Sequence, residues 1–260
     1  MIGKRAFIPF VTAGYPDLAM SEKIILALAD AGAELVEVGI PFSDPVADGP
    51  VIQASSHYAL SHGYLIDDYL EMVRRIRRKS QVGLVFMTYL NPVMQYGFKQ
   101  LDEDGADAGL DGILISDLVP REYWRLGRIR SGTEQSVDLP LFRHLKTVFL
   151  VAPNSNEERV ADACRSSTGY IYLVSRTGVT GGKTDLADNL SGRVKLIRKY
   201  TSLPVAVGFG ISSASDVEKV WQYAEGAIVG SAIVKFIGEH IQAPDLDRRV
   251  SSYVRDELLP

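Results

Sequence analysis

The chain has 260 residues, 46% of them hydrophobic, and a formal net charge of -4 at pH 7. Lengths of about 250 residues are typical of a single α/β barrel domain with one large core. The weakly negative net charge does not favour binding to nucleic acid or to an anionic membrane. Cys164 is the single cysteine, which excludes an intrachain disulfide and a cysteine-cluster metal site. Because no signal-peptide pattern and no membrane-length apolar run is visible, we expect a cytoplasmic protein.

Short apolar segments recur along the chain and predict eight β-strands. They are Ala6 to Val11, Glu34 to Val38, Gly83 to Met87, Gly112 to Ile115, Thr147 to Val151, Tyr170 to Val174, Pro204 to Val207 and Gly226 to Val229. Segments with helical periodicity lie between them: Ala19 to Ala31, Leu65 to Lys79, Phe98 to Gly109, Pro120 to Arg130, Asn156 to Ser166, Leu190 to Lys199, Ser213 to Tyr223 and a region from Ala232 onward. This alternation predicts a parallel sheet, and eight strands favour a closed (β/α)8 TIM barrel, a single domain over residues 1–260.

The second predicted strand leads into a loop rich in Pro, Gly and Asp, reading V-E-V-G-I-P-F-S-D-P-V-A-D-G-P over residues 36–50. Side chains alternate along a strand, so Glu37 shares one face with Leu35 and Gly39. A buried carboxylate has a raised pKa and can then deliver and remove a proton. Asp48, in the loop, is expected to be wetter and to stay ionised, which suggests one proton-shuttling and one charge-stabilising carboxylate. The alternative is that Glu37 forms an ion pair with Arg or Lys inside the barrel and that Asp48 is an ordinary turn residue.

Glycine-rich segments follow the seventh and eighth predicted strands. G-F-G-I-S at 208–212 and G-S-A-I-V at 230–234 each open a helix. Glycine lets the backbone approach a ligand closely, and the first N–H groups of a helix attract an anion. Because barrel enzymes frequently bind phosphate after strands seven and eight, the pattern predicts a phosphorylated substrate. The alternative is that these glycines only end strands.

Two further segments are polar and glycine-bearing. S-R-T-G-V-T-G-G at 175–182 is interpreted as a lid over the site, with a disordered loop as the alternative. S-G-T-E-Q-S at 131–136 is longer than an ordinary connection and is interpreted as an exposed insertion on the side opposite the site.

Neither metal nor covalent chemistry is indicated by the sequence. The four histidines, His57, His62, His144 and His240, show no metal-ligand spacing. No Ser/His/Asp or Cys/His arrangement, P-loop or dinucleotide fingerprint is visible. The sequence therefore favours acid–base chemistry without a metal or a cofactor.

Together these segments resemble the tryptophan synthase alpha chain family over nearly the whole chain and in the family's order. The resemblance rests on F-V-T-A-G-Y-P, E-V-G-I-P-F-S-D-P-V-A-D-G-P, S-R-T-G-V-T-G, G-F-G-I-S and G-S-A-I-V. It implies a (β/α)8 barrel that cleaves indole-3-glycerol phosphate to indole and glyceraldehyde 3-phosphate with no cofactor of its own. It also implies docking on a pyridoxal-phosphate beta chain, which receives the indole, in an alpha2beta2 heterotetramer.

The resemblance also implies roles for individual residues. Glu37 would protonate the ring carbon that bears the glycerol chain and then take the proton of the adjacent hydroxyl. Asp48 would face the indole N–H and stabilise positive charge, with Tyr89 beside it. The positions that match substrate-binding residues are Phe10, Leu114 and Phe209 around the indole, Tyr172 as another tyrosine of the site, Gly181, Gly210, Gly230 and Ser231 around the phosphate, and Thr180 in the lid. The positions that match the face toward the beta chain are Asp44, Asn91 and Pro92.

Other readings of the same sequence stay open. A phosphosugar isomerase or epimerase could use the same fold and phosphate site, since fold alone does not decide function. A non-catalytic subunit that activates a partner and a lyase that works alone and releases free indole are two more. The chain also starts almost at its first strand, without the short helix that usually covers the barrel bottom in the family, so we expect exposed apolar surface there.

Overall fold

Eight parallel strands close into a barrel in the computed structural model, which describes residues 1–131, 140–175, 186–208 and 210–260. The strands are β1 (Ala6–Thr12), β2 (Leu35–Gly39), β3 (Gly83–Thr88), β4 (Gly112–Ile115), β5 (Lys146–Val151), β6 (Ile171–Val174), β7 (Val205–Gly208) and β8 (Gly226–Val229). Each strand pairs with the next, and β1 pairs with β8, where Ala6 lies opposite Gly226. The predicted TIM barrel is confirmed, with strand ends within one residue of the predicted ones.

Helices surround the barrel and also occupy two of the strand-end loops. They are α1 (Leu18–Asp30), α2 (Pro50–Leu60), α3 (Ile66–Arg77), α4 (Leu90–Tyr96), α5 (Phe98–Ala108), α6 (Pro120–Ser131), α7 (Glu157–Ser166), α8 (Leu186–Arg198), α9 (Ala214–Trp221), α10 (Ser231–Glu239) and α11 (Leu246–Tyr253), followed by the π-helical turn Val254–Leu258. The sequence analysis did not predict α2 and α4. Pro50 at the start of α2, directly after Gly49, is a helix-start signal that could have revealed the first of them. Among the described residues, no helix has the length and apolar character needed to cross a membrane.

Side chains of each strand alternate between the barrel interior and the layer between barrel and helices. In β2, Leu35 packs in the interior cluster, whereas Val36 and Val38 pack in the cluster beneath the helices. Glu37 therefore points inward, as the alternation predicts, and is 1% exposed. Its neighbours across the sheet are Phe10 of β1 and Val85 of β3.

The first two side chains lie at the amino-terminal end of the barrel. Ile2 is buried and belongs to the interior cluster. A Cβ atom on Gly169 would lie 2.5 Å from Sδ of Met1, so the methionine side chain fills the space beside that glycine. Met1 is 41% exposed.

Candidate active site

A cavity of about 290 Å³ opens at the carboxyl ends of the strands. Its wall contains seven of the residues that the sequence analysis singled out: Phe10, Glu37, Asp48, Tyr172, Gly210, Gly230 and Ser231. The other lining residues are Gly49, Pro50, Val51, Ile52, Met87, Ile211 and Ile228. The barrel thus brings both carboxylates and the glycines of the two last strand-end loops to one cavity with a largely apolar wall.

Glu37 is the buried acid of this cavity. Its Oε1 accepts a hydrogen bond from the Tyr170 hydroxyl, while its Oε2 is buried and has no hydrogen-bond partner among the described residues. Burial raises the pKa of Glu37 from 4.5 to about 7, and the hydrogen bond from Tyr170 acts in the opposite direction. In the described part of the chain no lysine or arginine contributes to this shift, so the ion-pair alternative finds no support there. A carboxyl group with a pKa near neutrality can both give and accept a proton.

Tyr170 is a site residue that the sequence analysis missed. It lies directly before β6, is fully buried, and faces the barrel interior together with Tyr172. Burial, followed by the neighbouring Glu37, raises the pKa of the Tyr170 hydroxyl well above its usual value of 10.0, so the hydroxyl stays protonated and acts as a donor. The spacing of two between the tyrosines was a signal that both share one face, but it does not identify a partner in β2.

Asp48 is half-buried and is held by Tyr89. The Tyr89 hydroxyl donates a hydrogen bond of 2.8 Å to Oδ2 of Asp48 and accepts one of 3.1 Å from the N–H of Ala47. The ring of Phe42 stacks on the ring of Tyr89 with centroids 5.1 Å apart. Burial raises the pKa of Asp48, and the hydrogen bond from Tyr89 opposes this because it stabilises the carboxylate. Asp48, the more accessible of the two acids, thus accepts a hydrogen bond that stabilises its charged form.

Two glycines make room for the aromatic rings of the cavity. A Cβ atom on Gly39 would lie 2.3 Å from Cζ of Phe10, and one on Gly208 would lie 2.1 Å from the Tyr172 hydroxyl oxygen. Distances this short are steric clashes, so both rings occupy space that a side chain at these positions would fill. The cavity wall therefore depends on glycine at the ends of β2 and β7.

The part of the cavity wall formed by Gly210, Gly230 and Ser231 is suited to an anion. Gly230 is the N-cap of α10 and Ser231 is its first residue, so unpaired N–H groups and the helix dipole are available there. Gly210 has φ of 79°, a conformation that glycine adopts without strain, and it lines the cavity beside them. The phosphate site that the glycine pattern predicts stays a prediction.

The remaining predicted positions either are not among the residues that line the cavity or lie outside the described residues. Leu114 is fully buried in the interior cluster and is not among the residues that line the cavity. Asp44 is exposed in the loop after β2, and in α4, which follows β3, Asn91 is exposed and Pro92 is half-buried. Phe209, Thr180, Gly181, nearly all of the predicted lid and residues 132–136 of the predicted insertion lie outside the described residues. In the described ranges, no group of three or more His, Cys, Asp or Glu side chains could hold a metal ion.

Comparison with known proteins identifies the family of the chain. The family model described as tryptophan synthase alpha chain matches residues 2–255. The tryptophan synthase alpha chain of Geobacter sp. (strain M21) is 45% identical over 252 residues, covering 97% of this chain and 90% of that protein. The corresponding protein of Caldanaerobacter subterraneus subsp. tengcongensis is 39% identical over 252 residues, or 97% of this chain and 92% of that protein.

Solved structures give the same result. A tryptophan synthase complex from Pyrococcus furiosus superposes with a TM-score of 0.81 and 34% identity, covering 97% of this chain and 98% of that chain. A structure of the mutually activated a2b2 complex from the same organism has a TM-score of 0.82 and 35% identity, with 96% of each chain covered.

Proposed function

Since the chain belongs to the tryptophan synthase alpha chain family, we propose that it cleaves indole-3-glycerol phosphate to indole and glyceraldehyde 3-phosphate, using Glu37 and Asp48. The reaction is a retro-aldol carbon–carbon cleavage in tryptophan biosynthesis, which makes the chain a lyase. One observation carries the residue assignment: a carboxyl group with a pKa of about 7, one of whose oxygens is buried and has no hydrogen-bond partner in the described part of the chain, lies in the same cavity as a second, more accessible carboxylate. We expect the enzyme to work in the cytoplasm, where this biosynthesis takes place.

Glu37 supplies the proton that starts the cleavage. Protonation of the ring carbon that bears the glycerol chain turns the indole into an electron sink, because the ring then carries a positive charge. The resulting carboxylate takes the proton of the adjacent hydroxyl, the carbon–carbon bond breaks, and its electron pair returns to the ring. Glyceraldehyde 3-phosphate and indole are released and Glu37 is protonated again. A pKa of about 7 suits both transfers at neutral pH.

Asp48 stabilises the positive charge that develops on the indole. Its carboxylate faces the cavity and is oriented by the 2.8 Å hydrogen bond from Tyr89. A fixed negative charge at the ring N–H is most effective when the ring is protonated, so it lowers the barrier more than it strengthens ground-state binding. Phe10 and Tyr172 line the cavity and provide the apolar surface for the indole.

The phosphate occupies the side of the cavity formed by Gly210, Gly230 and Ser231. The N-terminus of α10 offers N–H donors there, and the phosphate takes no part in bond cleavage. Its binding energy therefore serves to place the glycerol chain against Glu37. On the strength of the family resemblance we assign Phe209 to the indole pocket, Gly181 to the phosphate cradle and Thr180 to closure of the lid. Leu114 matches an indole-pocket position of the family, but its side chain packs in the interior cluster and is not among those that line the cavity.

The partner is a tryptophan synthase beta chain, and the relatives from Pyrococcus furiosus form an a2b2 complex. We propose that the docking face includes Asp44, in the loop after β2, and Asn91 and Pro92, in α4 after β3, on the side of the cavity. Val46 in the same loop and Met94 in α4 are 82% and 55% exposed, and apolar side chains with this exposure suit a protein interface.

The test is indole release from indole-3-glycerol phosphate by the purified chain, alone and with a beta chain added. We expect slow release that increases strongly with the partner. Fast release by the isolated chain would identify a lyase that works alone, and no release under either condition would contradict the proposal and favour a phosphosugar isomerase or an inactive subunit.

Glu37→Gln tests the catalytic assignment separately. The amide keeps the shape of the side chain but has no transferable proton, so cleavage should be abolished while substrate binding, measured by calorimetry, changes little. Glu34→Gln is the matched control, because Glu34 belongs to the same chain segment but is exposed at the other end of the barrel, where it accepts a hydrogen bond from the N–H of Gly3. Normal turnover in Glu37→Gln would exclude Glu37 as the acid.

A further inference from the structure

The loop that carries Asp48 is held on its outer side by a glutamine. We call residues 42–49, which form most of the connection between β2 and α2, the 42–49 loop. Gln53, in the first turns of α2, donates a hydrogen bond of 2.8 Å from Nε2 to the main-chain carbonyl of Asp48. The same nitrogen lies 3.5 Å from the carbonyl oxygen of Pro45. The side-chain amide of Gln53 therefore contacts both the first and the last residue of the turn formed by residues 45–48.

This turn has the catalytic carboxylate at one end and the partner-facing carboxylate at the other. The N–H of Asp48 donates to the carbonyl of Pro45 at 3.0 Å, and the N–H of Val46 donates to the carbonyl of Asp44 at 2.8 Å. Asp44 is exposed beside Pro45, whereas Asp48 lines the cavity. A displacement at the exposed end is consequently transmitted to Asp48 through only a few bonds.

Two hydrogen bonds hold Asp48, one at its side chain and one at its main chain. Tyr89 holds its carboxylate at 2.8 Å, and Gln53 holds its carbonyl, also at 2.8 Å. The first contact orients the side chain and the second fixes the main chain from which that side chain projects. A carboxylate that must stabilise charge in a transition state needs both, since a small displacement of the charge reduces the rate strongly.

We propose that Gln53 is a positioning residue that holds the 42–49 loop in its active shape and transmits partner docking to Asp48. The inference rests on the function proposed above and adds to it a residue that does not touch the substrate. An exposed helix glutamine is ordinarily solvated and has no reason to be fixed; here its donor is directed back at the loop that precedes its own helix. When the beta chain binds the exposed end of the turn, it restrains the same backbone that Gln53 restrains in the free chain.

The test compares Gln53→Met with Gln100→Met. Methionine has nearly the length and helix propensity of glutamine but no donor. Gln100 is a matched control, because it is an exposed glutamine in α5 with a hydrogen bond of the same 2.8 Å, made to Asp104 away from the cavity. Indole release is measured for wild type and both variants, without and with a beta chain, to obtain kcat and KM separately.

We expect Gln53→Met to lower kcat of the isolated chain by about three- to tenfold, the range that the loss of one hydrogen bond corresponds to. KM should change by less than about twofold, because the phosphate side is built on β7 and β8. The defect should shrink when the beta chain is present, and Gln100→Met should behave like wild type. Unchanged kcat, or equal losses in both variants, would overturn the positioning role; a defect that the partner does not relieve would overturn the transmission of docking.

Hydrogen exchange of the 42–49 loop gives a readout that does not depend on turnover. The N–H groups of Val46, Ala47 and Asp48 are hydrogen-bonded, so they exchange slowly in an ordered loop. Gln53→Met should speed their exchange in the free chain, and addition of the beta chain should restore protection. Unaltered exchange would contradict the role of Gln53 even if wild type released no indole, whereas absence of indole release with faster exchange would contradict only the proposed function.

Discussion

The hydroxyl of Tyr170 donates a hydrogen bond to Oε1 of Glu37, joining two residues 133 positions apart inside the barrel. The contact uses one carboxylate oxygen and leaves Oε2 buried without a partner among the described residues. It also stabilises the charged form of a group whose burial favours the neutral form. The two effects together hold the pKa of Glu37 at about 7, where proton transfer in both directions is efficient.

Tyr170→Phe should shift the pH dependence of cleavage. Without the hydroxyl donor the charged form of Glu37 loses stabilisation, so its pKa rises above about 7. Activity requires protonated Glu37 and falls on the alkaline side, so this limb of the kcat/KM profile should move to higher pH by roughly one unit. Tyr123→Phe is the control, because Tyr123 is a buried tyrosine in the cluster beneath the helices, outside the barrel interior. An unmoved alkaline limb in Tyr170→Phe would contradict the assignment.

Glu37→Gln should make the protein more stable at alkaline pH. Between pH 4.5 and about 7 the folded state keeps the Glu37 proton while the unfolded state has lost it, so the free energy of unfolding falls as pH rises through this window. At about 1.4 kcal/mol per pH unit, the full penalty above pH 7 is on the order of 3 kcal/mol. Glutamine carries no such penalty. Urea unfolding at pH 4 and pH 8 should show the gain at pH 8 alone, and an equal difference at both values would argue against the raised pKa.

Gly39→Ala should disturb the cavity through Phe10. The added Cβ would lie 2.3 Å from Cζ of the ring, which must move or push β2 outward. Overpacking of this kind costs about 1–3 kcal/mol of stability, and displacement of the ring should raise KM. Phe10→Leu removes the clashing atom, so the double variant should be more stable than the sum of the two single changes predicts. Strict additivity in thermal unfolding would show that the ring and the glycine are not in conflict.

Gly210→Val should weaken substrate binding by crowding the phosphate. Gly210 also has φ of 79°, which a β-branched residue adopts only with strain, so some loss of stability will accompany the change. Gly32→Val separates the two effects, because Gly32 has φ of 106° and no atom within 4 Å of an added Cβ. We expect both variants to lose stability but only Gly210→Val to raise KM, by about tenfold or more. An unaltered KM in Gly210→Val would argue against the phosphate site.

Local rules were sufficient to predict the framework of this protein. Apolar runs separated by helical periodicity gave all eight strands to within one residue, because each strand of a parallel barrel is buried on both faces. Alternation along β2 gave the inward direction of Glu37 for the same reason. The same rules missed α2, because its mixed polar and small residues produce little periodicity. They therefore gave no indication that Gln53 lies on a helix and that its side chain contacts the preceding loop.

The sequence by itself determined that a glutamate points into a barrel and that glycines follow the last two strands. Only the tertiary structure decided what that glutamate meets. Tyr170 reaches Glu37 across 133 positions, and Tyr89 reaches Asp48 across 41, since closure of the sheet brings distant strands to one interior. The pKa of Glu37 likewise depends on exclusion of water by all the surrounding strands, a property of the closed barrel that no single segment of sequence contains.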